Sequence, residues 1–270
     1  MNKEITTKGI QDNFKKISEN FTTLISNYKN FTSDYTELSL LLNKANSNIS
    51  AIIYLTSKAM FNEACIIFRS LFETVVLFIY LVEYPNKMEQ YKLDDLIAEF
   101  HFLYLSYKRG YVPISYLIEP YNILIKDFKE VIPFEEISDA GIITYNMDKL
   151  DKYFKSRESK PLSQQTIKLI NELLTSNNPH KDLLHKLQLE FYNVYAQISH
   201  NRLNSLLKPI KTDTDKEMLN QIQDMYKNCV VIYKIIFETL ENEFQFPHPD
   251  NFYNDIKEMA NYLDIKNNFY

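Results

Sequence analysis

Residues 64–82, Ala-Cys-Ile-Ile-Phe-Arg-Ser-Leu-Phe-Glu-Thr-Val-Val-Leu-Phe-Ile-Tyr-Leu-Val, leave this chain little choice of fold. Apolar side chains fill nearly every direction at about 100° per residue, so the segment reads as a helix buried on most sides. Four residues interrupt it. Arg69, Ser70, Glu73 and Thr74 fall within one arc and make a single polar patch on an apolar rod. Arg and Glu are rare in interiors unless paired, and the i to i+4 spacing lets Arg69 and Glu73 meet. The patch is either the inner wall of a site or a structural ion pair.

The rest of the chain repeats the helical period. Ile10, Phe14, Ile17, Phe21, Leu24 and Tyr28 alternate steps of four and three, a narrow seam over residues 2–29 that predicts packing along one neighbour, here a second subunit of a homodimer. Asp34 is placed to cap a second helix ending near Lys58, and Asn62 to cap the central one, which stops ahead of Pro85. A further helix runs from about Lys87 to Arg109 and closes at Gly110. Prolines at 113, 120 and 133 and Gly141 mark a loop-rich insertion at about 110–160, holding one short helix from about Tyr121 to Val131. Lys155–Lys160 is the best linker candidate. Helices resume at about Ser163–Ser176, from Pro179 to about Leu207, from Asp213 or Thr214 through Glu241, and near Asn251–Leu263. The expected fold is an all-α bundle of seven or eight helices in a single domain, 1–270.

Composition closes off other classes. Three glycines and no Gly-rich loop leave little room for a β or dinucleotide-binding fold. A net charge of −5 argues against coating nucleic acid by bulk electrostatics, though a local basic patch remains open. Cys65 and Cys229 are the only cysteines and read as reduced packing residues, so neither a disulfide framework nor a Cys-rich zinc site is expected. The N-terminus lacks an apolar leader, and the run from Leu71 to Val82 is short for a bilayer. The expectation is a cytoplasmic protein without metal or cofactor that is not embedded in a membrane.

The second stretch of interest is Phe191–Asn204. On a helix Tyr192, Ala196 and His200 share a stripe, with Asn204 beside it and Ser199 adjacent. A histidine ending a polar stripe suits general acid or base work, because its pKa lies near neutrality; a hydrogen-bonded histidine in a partly buried seam fits the same pattern. Other clusters read more plainly. Asp94, Asp95 and Glu99 are a solvated acidic face, His180 and His185 do not share a face for zinc, and Lys108-Arg109 among Tyr104, Tyr107 and Tyr111 is surface packing or a stacking platform.

Glu63-Ala64 through Arg69-Ser70-Leu71-Phe72-Glu73, followed by Tyr192-x3-Ala196-x3-His200, resembles a bacterial all-helical family of unknown function marked by Arg-Ser-Leu-x-Glu and Tyr-x3-Ser-x3-His. Here Ala196 stands where the motif has Ser. That family is similar to the HEPN group of toxin–antitoxin and abortive-infection proteins, many of them metal-independent ribonucleases. The resemblance implies a catalytic set of Arg69, Glu73 and His200 with Ser70, Tyr192, Ser199 and Asn204 binding around it, and RNA or a phage or host protein as partner. The HEPN spacing of an Arg four to six residues before a His is absent, so Arg69 and His200 would come from different helices. A non-catalytic binding protein that recognises a phage or host component is the second expectation.

Overall fold

The computed structural model describes residues 7–28, 31–130, 132–137, 143–156, 161–192, 215–246 and 250–263. They form two compact units, Tyr84–Thr166 and the segments on either side of it.

In the first unit, α1 (Thr7–Asn27), a short turn α2 (Phe31–Asp34), α3 (Thr36–Ser57) and α4 (Phe61–Glu83) precede the second unit in the chain. The α4 helix is the apolar rod the sequence announces. Phe68, Leu71, Phe72, Val75, Val76 and Ile79 are completely buried on it, and its main neighbour is α3. At 23 residues and a mean hydropathy of 2.1 it is long and apolar enough to cross a membrane, so the Leu71–Val82 run understates it; two thirds of that window is nevertheless buried inside the protein.

The α1 seam is spent within the chain. Ile10, Phe14, Ile17, Phe21 and Leu24 are all buried, because α1 lies against α3 and against a C-terminal helix, Asp250–Tyr262. A second subunit is therefore not what covers these residues. Asp255 of the C-terminal helix fastens the pair, accepting from Lys16 Nζ and Asn20 Nδ2 at 2.5 Å each. Beneath them, Asn46 of α3 accepts from the buried Tyr233 hydroxyl at 2.5 Å and donates to Thr22 Oγ1 at 3.1 Å.

The second unit comprises a 3-10 turn at Pro85–Lys87, α5 (Met88–Lys108), α6 (Ser115–Lys126), β1 (Glu135–Ile137), β2 (Ile143–Tyr145), α7 (Met147–Ser156) and a 3-10 turn at Leu162–Gln164. Phe100, Leu117, Leu124, Phe134 and Leu150 are its fully buried centre. The α5 helix ends where expected, with Gly110 at φ +74°, a conformation glycine adopts without strain. The α6 helix begins earlier than the prolines suggest. Pro120 sits inside it, forgoing one helical N–H bond, and the burial of Leu117, Pro120, Tyr121 and Leu124 offsets that loss. The antiparallel pair, Glu135 opposite Tyr145 and Ile137 opposite Ile143, was not expected.

After the second unit come α8 (Thr166–Leu174), α9 (Lys181–Leu187), a π-turn at Gln188–Tyr192, α10 (Asp215–Phe244) and α11 (Asp250–Tyr262). The all-α class holds, with more helices than seven or eight among the described residues, because α2 forms in the connection ahead of α3 and α7 forms inside the insertion expected to be loop-rich. Three expectations about helix starts fail. Asn62 does not cap the central helix, because α4 begins at Phe61 and Asn62 lies inside it. The residue ahead of α3 is Tyr35, with no side-chain cap, since Asp34 is used in α2; α9 begins at Lys181 rather than at Pro179, because the Asn178 side chain instead accepts from the His180 N–H at 2.9 Å.

Candidate functional site

The α4 patch is an ion pair with a third member. Arg69 Nε donates to Glu73 Oε1 at 2.9 Å, and the Tyr192 hydroxyl donates to the same oxygen at 2.9 Å. The Arg69 guanidinium lies 5.9 Å from the centroid of the Tyr192 ring, within reach of a cation–π attraction. Tyr192 comes from the π-turn after α9, a backbone form that recurs at functional sites, and its ring leans on Phe72 at 5.2 Å. Burial works against the Arg69 charge, but the bond and charge of Glu73, with Tyr192, outweigh it and raise the pKa.

The pair is less secluded than an apolar helix implies. The Arg69 side chain is 26% exposed and that of Glu73 29%, so water screens their attraction. Arg69→Ala is accordingly expected to cost about 1 kcal/mol rather than the roughly 3–5 of a fully buried broken pair, read as a small shift in the urea midpoint. Ser70 faces α3, within 3.4 Å of Asn48 Nδ2, and Thr74 turns its hydroxyl back to the Ser70 carbonyl at 2.7 Å. The patch is thus divided: Arg69 and Glu73 meet Tyr192, while Ser70 and Thr74 serve α3 and the helix backbone. His200, Ser199 and Asn204 lie outside the described residues.

Other sequence candidates change character. Lys108 pairs with Asp151 at 2.8 Å and Tyr104 donates to the same carboxylate at 2.6 Å; together they hold Asp151 below its usual range. That cation is engaged in joining α5 to α7. Asp95 and Glu99 are exposed as expected, but Asp94 is buried. Cys65 and Cys229 are buried free thiols, pushed up by burial. No group of three or more metal-binding side chains occurs among the described residues.

A second polar assembly escaped the sequence reading. His180 is buried beside α10, its Nδ1 3.8 Å from Glu238 Oε2, while Lys234 stands 3.7 Å from Glu238 Oε1. Asn178, which accepts from the His180 N–H, donates in turn to Glu83 at 3.0 Å; a separate bond runs from the Tyr80 hydroxyl to Glu172 at 2.5 Å. Burial, reinforced by Lys234, lowers the His180 pKa. An unfolded histidine ionises near 6.5, so below about that pH the unfolded chain binds the proton that folded His180 resists, and stability falls as pH drops. Burial, against the opposing Lys234, raises the Glu238 pKa, so its contribution runs the other way and favours the folded state as pH falls. Urea midpoints are expected to decline from pH 7.5 to 5.5, and His180→Gln is expected to flatten part of that decline. The remainder belongs to groups such as His101, which burial also lowers despite Asp151. An unchanged slope in the variant would remove His180 from this account.

These features define an all-helical protein whose central helix presents a half-buried Arg–Glu–Tyr cluster. Residues 35–218 match a family described as a family of unknown function, DUF5677, and the chain belongs to it. The match spans both the α4 patch and Tyr192. No curated protein and no solved structure matches the chain.

Proposed function

We propose that this is a toxin- or phage-defence-type protein, HEPN-like in chemistry, that cleaves RNA without a metal. The observation that supports it is the meeting of Arg69, Glu73 and Tyr192, contributed by two distant segments of the family-matched span. RNA cleavage through the 2′-hydroxyl needs a proton acceptor and a cation for the charge that develops on phosphorus. In this reading His200, eight residues beyond Tyr192, takes the proton. Arg69 faces the phosphate, since a planar guanidinium matches phosphate oxygens. Glu73 holds Arg69 through Nε, and Tyr192 holds Glu73.

One observation favours the alternative of a non-catalytic protein that binds a phage or host component. Glu73 Oε1 receives both Arg69 and Tyr192, as a scaffold bridge does. Induced expression and incubation of the purified protein with RNA in EDTA separate the two. Growth arrest and cleavage are expected from the wild type, with Arg69→Lys and His200→Ala losing at least about 100-fold in cleavage while keeping their melting temperatures. A wild type that neither arrests growth nor cleaves RNA leaves the binding reading.

A further inference from the structure

A second cation stands on the α3 side of the Arg69 cluster. Asn48 Nδ2 lies 3.4 Å from Ser70 Oγ, and this contact fixes the register of α3 against α4. The two helices are consecutive and joined by residues 58–60 alone, so they run in opposite directions. Four residues back from Asn48 is Lys44, one turn or about 6 Å along α3 and level with Thr74 on α4. Positions i and i+4 share a face, which puts Lys44 on the same stripe of α3 as Asn48. Lys44 is exposed, and among the described residues its ammonium enters no ion pair or hydrogen bond. The exposed Lys15, by contrast, lies 3.8 Å from Glu19.

Between these groups α4 shows a narrow strip to solvent. Glu63, Ile66, Arg69, Ser70 and Glu73 are exposed or half-buried along it. Ser70 meets Asn48 on one side of the strip, and Glu73 meets Tyr192 on the other. Its charge is uneven from end to end. The Glu73 carboxylate is taken up by Arg69 and Tyr192, whereas Glu63, seven residues before Ser70, is exposed. A chain of phosphates is repelled at the Glu63 end and drawn to the Lys44 end. Because the whole protein carries a net charge of −5, it has no bulk attraction for nucleic acid, and affinity falls to a few placed cations.

We propose that this strip is a track for single-stranded RNA, in which Arg69 meets one phosphate and Lys44 the next phosphate of the same strand, toward the C-terminal end of α4. The Asn48–Ser70 contact keeps the two cations at a set spacing. The track rests on the reading of Arg69 as a phosphate ligand and adds to it a second contact, on a different helix, that takes no part in the chemistry.

Fluorescence anisotropy of the full chain with a short labelled 2′-O-methyl oligouridylate, over a series of KCl concentrations, tests this. The methyl groups block attack by the 2′-hydroxyl, so binding is read whether or not the protein cleaves RNA. Lys44→Gln is expected to weaken binding by several fold and to lower the slope of log affinity against log salt by about 0.7, the value for one phosphate contact on a single strand. Lys44→Arg is expected to keep the wild-type slope. Lys15→Gln, which removes the same charge from α1, is expected to leave it unchanged. The proposal is overturned if the wild type does not bind the oligomer, or if Lys44→Gln and Lys15→Gln give the same slope. Binding that depends on Lys44 in a protein that leaves unmodified RNA intact upholds the track and removes the cleavage reading; cleavage of unmodified RNA with no effect of Lys44 on binding does the reverse.

Discussion

Phe72→Ala is expected to lower the unfolding free energy by about 3–5 kcal/mol, the range for deleting a buried aromatic ring. Phe72 is completely buried on α4, and the void left behind adds to the lost transfer energy because the α3 and α10 sides of α4 are both packed. The same substitution removes the surface on which the Tyr192 ring leans at 5.2 Å. It therefore loosens the hydroxyl that Tyr192 gives to Glu73. Tyr192→Phe supplies the comparison, since it deletes that one hydrogen bond and keeps the ring, at about 0.5–1.5 kcal/mol. Urea unfolding of both variants checks the ordering. If Phe72→Ala proves no more costly than Tyr192→Phe, then α4 does not hold the cluster in place through packing.

Asn46→Ala should cost about 3 kcal/mol, because it removes the acceptor of the buried Tyr233 hydroxyl, leaving only Ser18 beside that group, and also the amide's own bond to Thr22. Asn46 is 9% exposed and Tyr233 not at all, and burial drives the Tyr233 hydroxyl pKa up. Tyr233→Phe should cost less, about 1–2 kcal/mol, since the Asn46 amide keeps Thr22 Oγ1 at 3.1 Å. The double variant Asn46→Ala/Tyr233→Phe removes the phenol hydroxyl together with its Asn46 acceptor. It is expected to be more stable than the sum of the single losses by at least about 1 kcal/mol. A strictly additive cycle would mean that the 2.5 Å contact between these side chains contributes no coupling.

The α4 helix was legible because its information is local. An unbroken apolar run with one polar arc has few other stable arrangements, and Arg69 and Glu73 meet because one helical turn brings i and i+4 together. The end of α5 at Gly110 and the packing roles of Cys65 and Cys229 were legible for similar reasons, resting on one residue's backbone freedom or chemistry. The hairpin was not: Glu135–Ile137 and Ile143–Tyr145 are three residues each, too short to show an alternating pattern.

What periodicity cannot carry is the identity of the surface that an apolar or polar face meets. The α1 seam was visible as a seam, yet only the fold shows that α3 and α11 cover it. Asp94 and Asp95 are neighbours in an acidic run, and a rotation of about 100° puts one in a cavity wall and the other in water. His180 had no motif around it; its partner Glu238 is far along the chain and reaches it from α10. Tyr192 likewise joins Arg69 and Glu73 across more than a hundred residues. Short-range spacing is a property of the helix itself and can be read from the chain, whereas burial and partnership depend on which distant segments pack together, and that is settled by the tertiary structure.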